Sequence, residues 1–162
     1  MGTFGGLSQM EFIFFPMTRS AAQSIDQWHY PGIYRFYDLS QDDEDRLEFL
    51  NSDNWSNQYF SVANEHRELI GFFIFGQETD VVTLGLGLHP DITGQGLGVA
   101  FVQAGLTFAD EQFQPRRYEL SVATFNARAI QVYKRCGFVE EKKFVQATNG
   151  GDYEFVKMSR LA

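Results

Sequence analysis

The stretch His89 to Phe101, HPDITGQGLGVAF, carries three glycines within five residues: Gly94, Gly96 and Gly98. Ahead of it runs VVTLGLGL, which reads as a strand, and behind it VAFVQAGLTFA, which reads as a helix. A helix N-terminus leaves its first amides without partners and carries partial positive charge. Glycines let a bulky anion come close to those amides. Strand, glycine turn, helix is therefore a physical recipe for a phosphate or pyrophosphate seat. A tight turn that merely joins two elements has the same composition, and the glycines alone do not separate the two readings.

Spacing tests two phosphate classes. A P-loop needs Lys-Ser or Lys-Thr after its last glycine. Gly98 is followed by Val99 and Ala100, so that class is excluded. A dinucleotide fingerprint, G-x-G-x-x-G, started at Gly94 would need glycine where Val99 stands. It would also need an acidic residue about twenty positions on, after a second strand. Glu119 lies near that distance but in the middle of the strand RRYELSVAT. A nucleotide- or NAD-binding module stays open as an alternative.

A second segment, FNARAIQVYKRCGF, begins with Asn126, a good N-cap just after a strand. Gly137 fits the left-handed stop of the helix it opens. Ala129, Ile130 and Tyr133 share one helix face. A packed core aromatic and a site residue are both open readings of Tyr133.

Together the two segments resemble the GNAT superfamily of acetyl-CoA-dependent N-acetyltransferases. That family's acyl-CoA loop reads Arg/Gln-x-x-Gly-x-Gly/Ala, and TGQGLG, residues 93–98, is similar to it, with Gly96 and Gly98 in the two small positions. Thr93 is the departure, standing where Arg or Gln is usual. The family's later segment, Asn-x-x-Ala-x-x-x-Tyr-x-x-x-Gly-Phe, is matched through Asn126, Ala129, Tyr133, Gly137 and Phe138. The likeness follows element order over about residues 11–161 and is sharpest over 84–138.

The resemblance implies a sheet in which two parallel strands, here 81–89 and 116–124, splay apart to admit acetyl-CoA. It implies pantetheine pairing with Leu86, Gly87 and Leu88, and a pyrophosphate on the loop of Thr93, Gly94, Gln95, Gly96, Leu97, Gly98 and Val99, chiefly the amides from Gln95 on. Asn126, Ala129 and Tyr133 join the cofactor site by the same likeness. Gly85 and Gly87 suit close approach of a ligand, or a twist of the sheet.

The implied reaction is direct acetyl transfer to a primary amine of a small molecule, peptide or protein N-terminus, with CoA as product. It needs a base for the ammonium, a donor for the oxyanion and an acid for the thiolate. The resemblance gives Tyr133 the acid role, and a free tyrosine, with a pKa near 10, is protonated at neutral pH. A backbone amide near Leu88 is the expected oxyanion donor. Several relatives carry Glu five residues before the motif asparagine, where this chain has Ser121. Glu119 shares a strand face with Ser121 and is the candidate base. Asp80, His29 and a relay through water are the other routes. A catalytically silent acyl-CoA-binding module is the alternative function.

The segment QWHYPGIYRFYD holds the aromatic candidates for an acceptor pocket: Trp28, His29, Tyr30 and Tyr34, with Phe36 and Tyr37 beside them. A packed aromatic corner is the competing reading. Arg116, Arg117, Arg128 and Lys134 are candidates for a 3′-phosphate, or plain surface charge. Cys136 at a helix C-terminus is disfavoured as a thiolate and reads as a buried spacer.

These residues must be placed by a chain of 162 residues, for which one domain is the default. Hydrophobic residues make up 44%, enough for a packed core, and 17 are phenylalanine. EFIFF predicts a first strand, MTRSAAQSIDQWHY a helix capped by Thr18, and SQDDEDRLEFLN a second helix capped by Ser40. QYFSVANE and LIGFFIFG predict a hairpin, VVTLGLGLHP a strand, Gly96–Gln112 a helix, and RRYELSVAT a strand. Asn126 to Cys136 predicts a short helix, followed by a closing hairpin turning at TNGG. The expected fold is an α/β (α+β) three-layer single domain. By resemblance it has a mixed central sheet of about seven strands, helices on both faces and a splayed strand pair. Residues 1–10 read as a flexible leader and 11–162 as the domain.

The net charge of −8 argues against nucleic acid, which demands phosphate neutralisation, and suits an amine-bearing partner. No apolar run is long enough for a membrane span, and no basic-then-apolar signal is seen at the start. One cysteine permits no intrachain disulfide, which fits a reducing cytoplasm. His29, His66 and His89 show no metal-ligand spacing, so no metal is expected. The expected state is monomer or homodimer.

Overall fold

The computed structural model describes residues 10–162. The leader expected over residues 1–10 lies outside the described residues but for Met10, which is buried. Among the described residues seven strands form one mixed sheet: β1 (Ile13–Pro16), β2 (Tyr59–Ala63), β3 (Leu69–Glu78), β4 (Val81–Leu88), β5 (Arg117–Ala123), β6 (Val139–Thr148) and β7 (Gly151–Leu161). Their spatial order is β1-β2-β3-β4-β5-β7-β6. The α-helices are α1 (Arg19–Asp26), α2 (Asp43–Leu50), α3 (Gly98–Phe113) and α4 (Ala127–Arg135). No helix among the described residues is long and apolar enough to cross a membrane.

The backbone clusters into two compact units, and strands β3 and β4 pass through both. The first runs to Phe73 and takes in Leu86–Thr93. Its α1 is shorter than the predicted helix. It ends at Asp26, leaving Trp28 and Tyr30 outside any helix. Thr18 caps it, accepting from the Ala21 amide at 3.1 Å, and Ala21, Ala22 and Ile25 are buried. Asp26 is buried at the helix end, where its charge opposes the dipole. The Arg46 guanidinium offsets this with a two-point bond, 2.8 and 2.9 Å, that ties α1 to α2. α2 starts later than expected. Its cap is Asp42, which accepts from the Asp45 amide at 3.0 Å, and not Ser40, which lies in a short 3-10 turn. A carboxylate at that position also answers the helix dipole, which a serine does not.

The second unit comprises Ile74–Gly85 and Gly94–Ala162. β4 and β5 pair in parallel, Val81–Thr83 against Arg117–Glu119, and the strands then continue to Leu88 and Ala123. α3 buries Phe101, Val102, Gly105, Leu106 and Ala109, one stripe at helical spacing. Tyr118, Leu120 and Val122 are buried on the alternating positions of β5, and Ala123 at its end is buried as well. The Tyr118 hydroxyl donates to the Leu106 carbonyl at 3.1 Å and to the Asp110 carboxylate, which locks the strand to the helix. The β6–β7 hairpin turns at Asn149 and Gly150, φ +51° and +77°, the left-handed pair a two-residue turn requires.

Candidate active site

The glycine turn ends in a helix with an open N-terminus. α1, α2 and α4 each have a side-chain cap, from Thr18, Asp42 and Asn126. The N-cap of α3 is Leu97, a buried side chain with no hydrogen-bonding atom. The amide of Phe101 donates to the Leu97 carbonyl at 2.9 Å. The amides of Gly98, Val99 and Ala100 precede it and have no intrahelical acceptor by geometry.

The glycines have separate physical reasons. Gly94 and Gly96 adopt φ +74° and +81°, which side chains rarely accept. A Cβ on Gly94 would lie 2.8 Å from Nη1 of Arg128, whereas one on Gly96 would meet nothing within 4 Å. Gly98 is a packing position: a Cβ there would lie 2.9 Å from Cγ2 of Val132. Val132 therefore gives one of the motif glycines a role the spacing did not announce. Thr93 donates its hydroxyl to the Pro90 carbonyl at 3.0 Å, closing the turn that precedes the glycines.

The second motif forms a capped helix. Asn126 is buried and its side chain accepts from the Ala129 amide at 3.1 Å. At the other end the Gly137 amide donates to the Lys134 carbonyl and the Phe138 amide to the Tyr133 carbonyl, both at 3.0 Å. With Gly137 at φ +92°, this is a Schellman stop. Its accompanying apolar contact is the Tyr133 ring, edge-on to Phe138 with centroids 6.1 Å apart. Tyr133 is half-buried. Cys136 is buried, and burial pushes its thiol above the usual range.

The four cations named from the sequence divide. Arg116 faces Asp80 at 3.7 Å, and Lys134 faces Glu140 at 2.9 Å. Arg117 bonds Glu119 at 3.0 Å and also Glu141. Arg128 is the one beside the glycine turn. Glu119, the expected base, belongs to a charge network, since the same oxygen that receives Arg117 lies 3.3 Å from Lys157 Nζ. Glu119 is thus held between two cations.

In the first unit, the acceptor-pocket candidates separate. Trp28 is buried against Phe72 and His89, with ring centroids 6.2 and 5.0 Å apart. Phe72 also explains Gly87, because a Cβ there would sit 2.5 Å from its ring. The expected close approach at Gly87 is thus made by a neighbouring ring. Gly85 faces Ile74 at an ordinary contact distance. Tyr30 donates its hydroxyl to the Leu88 carbonyl at 2.8 Å and its amide to Asp38 Oδ1 at 2.8 Å. His29 Nδ1 lies 2.9 Å from Asp38 Oδ2. Tyr34 is half-buried in the short 3-10 segment Gly32–Tyr37, where Phe36 meets Tyr37 edge-on. The contact between Asp38 and His29 is not legible in the sequence. Nine positions and a Pro-Gly break separate the two, and no periodicity joins them.

His89 ends β4. Its amide donates to the Ile70 carbonyl at 2.8 Å, and its Nδ1 accepts from the Asp91 amide at 3.1 Å. Burial lowers its pKa, partly opposed by Asp91. Along a strand successive amides point to opposite edges. The His89 amide faces β3, so the Leu88 amide and carbonyl face away from it.

The family model for the acetyltransferase (GNAT) family matches residues 22–138. A mycothiol acetyltransferase of Streptomyces coelicolor is 37% identical over 83 residues, which is 49% of this chain and 26% of that protein. The chain thus matches about a quarter of that relative's length. Among solved structures, a spermidine N-acetyltransferase of Vibrio cholerae in complex with CoA and spermine superposes with TM-score 0.73 at 20% identity, covering 93% of this chain and 95% of that one. A GNAT-family acetyltransferase of Bacillus anthracis gives TM-score 0.75 at 16% identity, covering 94% and 96%. At these identities the likeness is one of fold.

Proposed function

We propose that this chain, which belongs to the acetyltransferase (GNAT) family, moves an acetyl group from acetyl-CoA to a primary amine by direct transfer. The observation that carries the cofactor reading is the N-terminus of α3. A 16-residue helix opens there with a cap that has no polar side chain, after two glycines in left-handed conformation. That arrangement fits a diphosphate, which needs several amides at once and room to approach them. Space beside Gly96 and the Arg128 guanidinium beside Gly94 fit the same anion.

When bound, acetyl-CoA supplies the thioester that is broken. Amides of Gln95–Val99 would hold its pyrophosphate, and backbone of Leu86–Leu88 would hold its pantetheine arm. The Leu88 amide, turned away from β3, suits the oxyanion, while the Leu88 carbonyl is held by Tyr30. Tyr133 would supply the proton that the CoA thiolate takes on leaving. Its helix stop fixes its backbone, and Phe138 supports its ring. The acceptor is a small amine or an N-terminal amine. The spermidine N-acetyltransferase whose fold this chain shares makes a polyamine a fitting member of the acceptor panel. We assign the reaction to the cytoplasm, where a single buried cysteine stays reduced.

The test is thermal unfolding with acetyl-CoA, CoA, ATP and NAD in parallel, followed by CoA-thiol release with a panel of amines. A ligand at about 100 times its Kd adds roughly 2.7 kcal/mol, or several degrees for a domain of this size. A rise with both CoA species and little with ATP or NAD is expected. A rise only with ATP or NAD would keep the phosphate seat and replace its occupant. CoA binding without thiol release by any amine would favour a silent binding module.

A further inference from the structure

His29 and Asp38 form a side-chain pair that the motifs do not explain. The Asp38 side chain is 2% exposed, yet the His29 side chain it holds is 64% exposed. Both carboxylate oxygens have donors: the Tyr30 amide on Oδ1 and His29 Nδ1 on Oδ2. A carboxylate only accepts, so in the neutral ring Nδ1 carries the proton and Nε2 carries the lone pair. A ring with one nitrogen clamped to a buried carboxylate and its face in solvent is built to take a proton at the other nitrogen.

The pair also stands at a telling place in the fold. Tyr30, whose amide completes the Asp38 clamp, donates its hydroxyl to the carbonyl of Leu88, the last residue of β4. Leu88 is the residue whose amide the proposed function sets at the oxyanion, and Tyr30 joins the His29–Asp38 pair to that end of β4. His89, the next residue, is already engaged as the cap of the following turn. Glu119 is engaged by Arg117 and Lys157.

We infer that His29 takes the proton from the acceptor ammonium and that Asp38 is its positioning residue. This rests on acetyl transfer to an amine being the reaction. The N–H bond of the ammonium breaks and an Nε2–H bond forms. The freed nitrogen lone pair becomes the nucleophile, the imidazolium charge sits against Asp38, and the proton leaves to water.

The test uses acetyl-CoA with ethylamine, 2-fluoroethylamine, 2,2-difluoroethylamine and 2,2,2-trifluoroethylamine at neutral pH, reading CoA-thiol release. Fluorine makes the amine progressively less basic at nearly constant shape, so the first is protonated and the last is not. His29→Gln should lower kcat/KM for ethylamine by about 100-fold or more and leave trifluoroethylamine within a few-fold. Asp38→Asn keeps an acceptor for Tyr30 and turns a donor towards Nδ1. It should give the same graded loss, with KM for acetyl-CoA unchanged. Imidazole added to His29→Ala should restore ethylamine turnover in part. A loss of equal size along the series, or no loss, overturns the inference. If Asp38→Asn does not fold, His29→Gln still decides, since that side chain is exposed. If the wild-type chain turns over an amine of the wider panel but none of the four, the His29→Gln loss is read on that amine across pH. A loss that does not shrink as the amine deprotonates then overturns the inference. No thiol release with any amine of the panel overturns amine acetylation itself.

Discussion

Gly98 opens α3 where Val132 of α4 comes so close that a Cβ on residue 98 would lie 2.9 Å from Cγ2 and 3.3 Å from Cγ1. Valine is stiff about χ1, so the contact is relieved only by moving one helix. Gly98→Ala should therefore destabilise by about 1–2 kcal/mol, even though alanine is the better helix former by roughly 1 kcal/mol. Val132→Ala in the same chain should recover most of that loss. A double-mutant cycle by urea unfolding measures the coupling, which is expected to reach about 1 kcal/mol. Additive effects would mean the two helices do not meet at these residues.

Tyr133→Phe removes one oxygen and leaves the ring against Phe138. Turnover should fall by about 100-fold or more, while acetyl-CoA affinity, read by calorimetry, stays within about two-fold. Glu119→Gln is the matched control. It breaks the bonds to Arg117 and Lys157, so Tm should fall while kcat/KM stays within a few-fold. Equal loss of turnover in both variants would restore Glu119 as the base and remove the distinction drawn between them.

Tyr30 links the end of α1 to the end of β4. Burial, and secondarily the Asp38 charge, push its phenol well above the ordinary tyrosine range, so it remains a donor at any assay pH. Tyr30→Phe leaves the Leu88 carbonyl without that donor. The expected cost is about 1–2 kcal/mol, or a few degrees in Tm. Hydrogen exchange should rise at His89, whose amide is held by the Ile70 carbonyl, before it rises in α3. Protection unchanged at that amide would mean that the bond does not hold the strand end.

The motif glycines and the capped helix after β5 were legible because each answers to a local rule. Asn126 is a cap, Gly137 a left-handed stop, and Asn149-Gly150 a hairpin turn. Local rules place residues that are three or four apart. They do not place Phe72 against Gly87, Val132 against Gly98, or Asp38 against His29, each of which needs the tertiary fold. The cap of α2 was misread for a related reason. Ser40 and Asp42 are both acceptable caps, and the 3-10 turn Leu39–Gln41, which decides between them, has no pattern of its own. The pairing of Glu119 with a lysine of β7 follows from strand order, which no run of residues within β5 contains.

His89 contributes to the pH response of the fold above the carboxylate range. Its pKa is lowered, chiefly by burial, from the ordinary 6.5. Between 6.5 and the lower folded value, the unfolded chain binds a proton that the folded chain does not. Stability is therefore full above that range and declines as the pH falls through it. The same protonation would take the lone pair from Nδ1, which accepts from the Asp91 amide. Glu65, Glu140 and Glu141, all held below the usual carboxylate range by their partners, add their own losses at lower pH. Asp45, raised by burial and by Asp42, Glu48 and Glu44, acts in the opposite sense. His89→Asn keeps an acceptor for the Asp91 amide and cannot titrate. Its unfolding free energy, measured in urea between about pH 5 and pH 8, should lose the decline that begins near 6.5 and keep the carboxylate limb below it. An unaltered slope in the variant would assign that decline to another group.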